Sequence, residues 1–360
     1  MKKATVSKMK LTDREWKEFY IGQLFEVKRP SARSEKEYDS GEYPFVASGN
    51  FNNGVIRCCS QKEGERVDNG NCITVSPVDG SAFYQISDFL GRGGAGSSVL
   101  LLYNEKINRY SGLYISKALR QTCSKYSYGK MGNQDGIKRE RIMLPIDDLD
   151  NPDYTFMEEY VREEEKRKKE KYIAYAKKQL DKLKYIEVPA LDEKEWGEFS
   201  IGGDNGIFTI TSGKRLTKTD MDNGNIPFIG ATDSNNGITN WVGTPNSTLD
   251  SNVLGVNYNG SVVENFYHPY LCVFSDDVKR LHLKNHKDNK YILLFFKSII
   301  LNQKNKYTYG YKFNAHRMER QKILLPIDEH GTPAYEYMEQ YAKNLIIVKL
   351  KKYLAFAKKK

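Results

Sequence analysis

The segment YSYGKMGNQDGIKRERIMLPID, residues 126–147, returns as YTYGYKFNAHRMERQKILLPID, residues 307–328. The echo extends along the chain. EWKEFYIG at 15–22 matches EWGEFSIG at 195–202, and GEYPFVASGNFNNGV at 41–55 matches GNIPFIGATDSNNGI at 224–238. PDYTFMEEYV at 152–161 matches PAYEYMEQYA at 333–342, and KYIAYAKK at 171–178 matches KYLAFAKK at 352–359. The offsets run from 180 to 183 residues, with one short insertion, GGDNG, after Ile201. This period is far longer than a solenoid repeat, so each copy must be a domain with an appendage.

The first part of each copy consists of short β-like runs punctuated by turns, such as YPFVASG, NCITVS, IPFIGAT and NVLGVNY. Asn53-Gly54, Asp79-Gly80, Asn236-Gly237 and Asn259-Gly260 are tight-turn signals. Helical apolar spacing appears only in RYSGLYISKALRQTCS and KYILLFFKSIILNQKN. The second part opens at Asn151-Pro152 and Thr332-Pro333, where a capping side chain precedes a proline at the expected first helical position. No glycine or proline follows Pro152 until past Tyr185, which predicts a rod of about 50 Å. Its apolar positions Met157, Tyr160, Tyr172, Ala176 and Leu180 are interrupted by REEEKRKKEK at 162–171, read as a solvated face. The second helix carries Met338, Tyr341, Leu345, Val348 and Phe356 near heptad spacing.

The expected architecture is therefore α+β with a pseudo-twofold internal repeat. Two β-rich domains, 1–150 and 191–331, alternate with two long helices, 151–190 and 332–360. The apolar faces of the helices are expected to pair as an antiparallel coiled coil.

Charge narrows the function only a little. The chain carries 56 Lys and Arg against 46 Asp and Glu, with 23 and 19 of these in residues 1–150 and 16 and 16 in 191–331. So mild an excess favours nucleic acid only modestly. Five cysteines, none in C-x-x-C spacing, with Cys58 and Cys59 adjacent, read as reduced thiols of a cytoplasmic protein. No membrane span or signal peptide is evident.

Catalytic motifs are scarce. GRGGAGSS at 91–98 fits G-x-G-x-x-G through Gly91, Gly93 and Gly96, but a strand-like run follows it instead of the helix that a cofactor loop needs. The second copy lacks it, so it reads as a loop displaying Arg92. His282 and His286 read as a surface pair on a turn or helix, with no third ligand for zinc. No catalytic or metal-ligating residue is assigned.

Residues suited to DNA cluster instead in the glycine-bent loops before the LPID strands. Arginine pairs with guanine, asparagine or glutamine with adenine, and lysine and tyrosine with phosphate. The candidates are Lys125, Tyr126, Tyr128, Lys130, Asn133 and Gln134 in the first copy. In the second they are Lys304, Lys306, Tyr307, Tyr309, Lys312, Asn314, His316 and Arg317. GVNYNGSVVENFYH at 255–268 is a weaker instance.

The paired EW.EF.IG starts, YPFV/IPFI turns, LPID strands and DNPDYTFMEEY/GTPAYEYMEQY helix openings resemble the specificity (S) subunit of Type I restriction–modification enzymes. The resemblance spans essentially the whole chain. It implies that each β-rich domain is a target-recognition domain reading half of a bipartite site in double-stranded DNA. It further implies that the helices are spacers docking two modification subunits, which bring S-adenosylmethionine, with motor-nuclease subunits as further partners. The chain itself would then bind no cofactor and catalyse nothing. Type IIB-like systems use a similar subunit. The competing expectation is an autonomous S-adenosylmethionine-dependent DNA methyltransferase using the 91–98 loop.

Overall fold

The computed structural model describes residues 8–94, 98–308 and 310–358. It divides into two compact units at residues 172/173. The first contains β1 (Trp16–Tyr20), α1 (Ile21–Leu24), β2 (Glu26–Lys28), β3 (Ser40–Val46), β4 (Val55–Cys59), β5 (Cys72–Val75), β6 (Ala82–Gln85), β7 (Leu90–Gly91) and β8 (Leu100–Tyr103). Then come α2 (Arg109–Thr122), α3 (Gln134–Lys138), β9 (Arg141–Pro145) and α4 (Tyr154–Leu180), which runs across the division. The second contains β10 (Trp196–Ser200), β11 (Phe208–Ser212), β12 (Asn223–Ile229), β13 (Ile238–Val242), β14 (Val253–Asn257), β15 (Asn265–His268), β16 (Val273–Phe274) and β17 (Val278–Leu283). It ends with α5 (Lys290–Leu301), α6 (Ala315–Arg320), β18 (Lys322–Pro326) and α7 (Tyr335–Lys358).

The topology is duplicated strand for strand. The first unit has an antiparallel pair β1-β9, a sheet of order β2-β8-β5-β6 and a sheet of order β4-β3-β7. The second has β10-β18, β11-β17-β14-β15 and β13-β12-β16. In each, the smaller sheet is closed by a parallel pairing, Phe45 opposite Leu90 and Phe228 opposite Val273.

Strand β5, CITV, shows no polar alternation because it is buried on both faces. Ile73 and Val75 meet Ile115 and Leu119 of α2, while Cys72 joins Val46, Phe89 and Leu101. The second core repeats this with Leu254, Val256, Leu281, Ile292 and Phe296. Asn108 and Asn289 start the buried helices by accepting the N–H groups of Tyr110 and Tyr291 at 2.9 and 2.8 Å. The Asn-Asn-Gly turns adopt left-handed backbone, with φ of 57° at Asn53 and 54° at Asn236, a region that asparagine tolerates and glycine prefers.

The long helices differ from expectation at both ends. Pro152 and Pro333 lie outside them, in isolated bridges with Ile146 and Ile327. Asn151 and Thr332 are not their caps. Their N–H groups donate to Asp147 and Asp328, each at 2.9 Å, so the aspartate of each LPID strand organises the turn. Asp153 caps α4 by accepting the Phe156 N–H at 2.8 Å. Helix α4 has 27 residues, about 40 Å long, and stops at Leu180. The segment beyond it lies along α7, where Gln340 donates to the Lys184 carbonyl, Asn344 to Ile186 and the Tyr337 hydroxyl to Pro189.

The residues expected in a helix seam also redistribute. Met157 and Met338 are buried in the cores of their own units. Tyr160 packs edge-on against Tyr114 of α2, and Tyr341 edge-on against Phe295 of α5. Ala176 is buried, Leu180 half-buried and Tyr172 exposed. On α7 the buried positions are Ala342, Asn344, Ile347 and Leu350, whereas Leu345, Val348 and Phe356 are exposed. Beyond Tyr341 the buried side of α7 lies beside the stripe read from the sequence, because helix-long apolar content does not reveal which side a domain core claims. The charged run of α4 forms local pairs, Arg162 with Glu158 and Arg167 with Glu164.

Candidate nucleic-acid interface

The glycine-bent loops are tightly built. In the first unit, Tyr126 is buried beneath Gly132, where a side chain would meet its ring at 2.5 Å. Ser127 and Lys130 close a two-residue turn through reciprocal backbone bonds. Asn133 caps α3 through the Gly136 N–H at 2.7 Å, and Gln134 donates to the Val27 carbonyl at 2.7 Å. Lys125 is ion-paired with Glu140. That leaves Tyr128, 84% exposed at the turn tip, with Lys130 beside it also exposed.

The second unit uses the same frame with other chemistry. Tyr307 is buried and donates to Gln321 Oε1 at 2.6 Å, and Lys306 donates to the same oxygen at 2.9 Å. Tyr311 stacks on Tyr307, and the Arg317 guanidinium lies 3.8 Å from the Tyr311 ring while donating to the Lys312 carbonyl. Asn314 caps α6, and Lys304 pairs with Glu264. Lys312 is half-buried; His316 is exposed, 3.4 Å from Arg320. Tyr309 lies outside the described residues. Tyr126 and Tyr307 are thus buried, and Gln134 and Arg317 are half-buried with partners in the chain, whereas Lys125, Asn133, Lys304, Lys306 and Asn314 are exposed while also bonding to groups of the chain.

The 91–98 loop starts from a strand, β7, and leads into another, β8, so no helix N-terminus follows it. Arg92 is exposed on it, and Gly96 falls outside the described residues. His282 is not on a turn or helix. It lies on β17, with Nε2 3.0 Å from Asp250 and Nδ1 2.7 Å from Asp288, contacts that raise its pKa to about 9. His286 stacks on Tyr335. Among the described residues, no cluster of three His, Cys, Asp or Glu is placed to hold a metal, and no helix is long and apolar enough to cross a membrane.

The sequence reading missed a cluster around Arg33, which is 5% exposed. Its Nε donates to Glu65 at 2.6 Å, and its Nη1 to Asp68 at 2.6 Å and to the Gly91 carbonyl at 3.1 Å. Nη2 donates to the Arg66 carbonyl. The basic run of Arg29 and Arg33 was the only signal for it, since the partners lie more than 30 residues away.

The two copies with identical topology decide the kinship. The family described as "Type I restriction modification DNA specificity domain" matches residues 13–173 and again 193–354. The chain belongs to this family. Among curated specificity-domain proteins it is 50% identical over 238 residues to the "Type II restriction enzyme BgcI specificity subunit S.BcgI" of Heyndrickxia coagulans. That match covers 65% of this chain and 66% of the relative, so just under two thirds of the relative's length is spanned. Among solved structures, the S subunit of a Type I restriction–modification system from M. genitalium aligns over 98% of this chain and 94% of its own, at 17% identity and a TM-score of 0.47. The HsdS subunit from Thermoanaerobacter tengcongensis aligns over 96% and 91%, at 12% identity and a TM-score of 0.32.

Proposed function

We propose that this chain is the DNA-recognition subunit of a multisubunit restriction–modification enzyme, each β-rich unit reading one half of a bipartite site in double-stranded DNA. The observation that carries this is the presence of two complete specificity domains in one chain, alike in topology and different in their exposed loops. A site with two half-sequences on one duplex requires two readers. In the first unit the contacts offered are Tyr128, Lys130 and Arg92; in the second, His316, Arg320 and the Tyr311–Arg317 stack. The long helices dock methyltransferase subunits, and those partners bring S-adenosylmethionine and the catalytic groups.

A domain exchange tests the reading. Replacing residues 191–331 with the corresponding domain of a relative, in the complex with its partner subunits, should change one half-site and leave the other intact. Methylation mapping reads both halves. A change in both together would reject the two-reader arrangement, and methyl transfer by the purified chain alone would reject a non-catalytic role.

A further inference from the structure

We infer that Arg29 and Arg66 form the base-reading pair of the first domain and that Lys106 holds the DNA backbone beside them. This rests on the DNA-recognition reading and assigns part of that task to named side chains.

The Arg33 network explains why these two arginines have a fixed place. By bonding Glu65, Asp68 and the carbonyls of Arg66 and Gly91, the buried guanidinium ties together the segments 29–33, 65–68 and 90–93. Asp68 completes the knot by accepting the Gly91 N–H at 2.9 Å. The segments touch at backbone level, since a Cβ on Gly93 would lie 1.8 Å from the Ser31 carbonyl oxygen. A guanidinium with its donors spent on two carboxylates and two carbonyls makes a rigid anchor.

Arg29 and Arg66 stand on the outside of this knot. Both are exposed, and among the described residues neither side chain has an acid, a ring or a hydrogen-bonding partner. They line one groove of about 1090 Å³ together with Lys106, Asn69 and Asn71. The acids in that groove are mostly spent: Glu26 is held by Lys28 at 2.9 Å and Asp68 by Arg33, which leaves Glu105. The groove is lined mainly by polar and charged groups, unlike the mostly apolar pockets that enclose small ligands. It suits a polyanion.

The duplication separates the roles. Asp68 bridges Phe89 in the first unit and Asp250 bridges Cys272 in the second, so these acids are equivalent, and Arg66 corresponds to Thr248. Lys28 opposite Leu101 corresponds to Thr211 opposite Arg280, so the next residue, Arg29, corresponds to Ser212. Asn71 donates to the Ile107 carbonyl as Asn252 does to Asp288, so Lys106 corresponds to Lys287. The lysine is kept in both copies, and the arginines belong to the first alone. Phosphates are common to every half-site, whereas base edges differ. Arginine pairs bidentately with guanine O6 and N7.

The test is selection of duplexes from a random pool by the full chain in its complex, followed by sequencing. Arg29→Gln and Arg66→Gln, singly and together, should erase guanine preference at positions within one half-site and leave the other half-site unchanged. Each should weaken binding to the wild-type site on the order of tenfold or more. Lys106→Gln should weaken all duplexes alike and make binding less sensitive to salt. All three residues are exposed, so an unchanged melting temperature verifies the fold. If the arginine variants select the same consensus as the wild type, with or without weaker binding, the inference is overturned. If the wild-type complex selects no consensus, the DNA-recognition reading fails and takes the inference with it.

Discussion

His282 Nδ1 lies 2.7 Å from Asp288 Oδ2, joining strand β17 to the loop that leads into α5. Asp250, which also holds Arg280, faces the other ring nitrogen at 3.0 Å. The bond to Asp288 is the main cause that raises the pKa from 6.5 to about 9. A raised value means that the protonated ring favours the folded state. Its contribution is complete below the unfolded value and disappears as pH rises through about 9. His282→Gln should therefore lower the stability of the second unit near pH 6 by on the order of 2 kcal/mol, allowing for partial exposure. The gap to wild type should close by about pH 10. Thermal melts across pH check this; a gap that stays constant with pH would show that the imidazolium contributes nothing.

His268 works in the opposite direction. It is fully buried between the rings of Tyr270 and Phe274, and neither ring nitrogen has a hydrogen-bond partner among the described residues. Burial lowers its pKa to about 4. The neutral ring thus supports the fold fully above pH 6.5, and that support is lost as pH falls from 6.5 towards 4. The first unit carries Gln85 at the equivalent place, since Cys72 opposite Gln85 matches Val253 opposite His268. His268→Gln should flatten the acid limb of the stability profile, as read by melts from pH 7 to 4. An equally steep limb would assign acid sensitivity to other groups.

Tyr128 and Tyr307 were both candidate DNA contacts, and the structure gives them opposite predictions. Tyr128→Ala should leave the melting temperature unchanged and weaken DNA binding severalfold, because the ring stands 84% exposed at a turn tip. Tyr307→Phe removes a buried hydroxyl from Gln321, and should cost about 1 kcal/mol of stability with little change in DNA affinity. Paired melting and binding measurements on the two variants separate the roles. A binding loss in Tyr307→Phe without destabilisation would reverse the assignment.

Asp153→Ala should destabilise the first unit by about 1 kcal/mol, the usual worth of an N-cap. Asp153→Asn should recover most of the loss, because an amide oxygen can still accept the Phe156 N–H. Chemical denaturation compares the two. Equal losses would mean that the ion pair with Arg14, 2.8 Å away, matters more than the cap.

The duplication made most of the fold legible, because residues held in both copies, such as the LPID strands and the Asn-Asn-Gly turns, announce shared local structure. Strand and helix positions followed from apolar period and turn chemistry. The details that escaped depend on partners distant in sequence. Pro152 suggested a helix start, but Asp147 bonding to Asn151 delays it. Leu345 and Val348 fit a heptad, yet the buried face of α7 falls on Ile347 and Leu350. Among the site candidates, composition marked the loops and could not tell Tyr128 from Tyr126, since burial of the latter depends on Gly132 folding over it. The Arg33 knot shows locally only as the basic residues Arg29 and Arg33, because Glu65 and Asp68 lie more than 30 residues away.

Asp68 and Asp250 are one ancestral position, yet each draws its base from a different part of the chain: Arg33 ahead of β3 in the first copy, Arg280 and His282 on β17 in the second. Genetic crossover between the copies is constrained by this. An exchange point falling between residues 33 and 103 could leave one largely buried carboxylate with no base, a defect costing roughly several kcal/mol. Exchange points in the segments joining each unit to its long helix leave Asp68 with Arg33 and Asp250 with Arg280 and His282. Recombination can therefore shuffle these units only as wholes, and new specificities in such a lineage would arise by trading entire readers more readily than by mixing their strands.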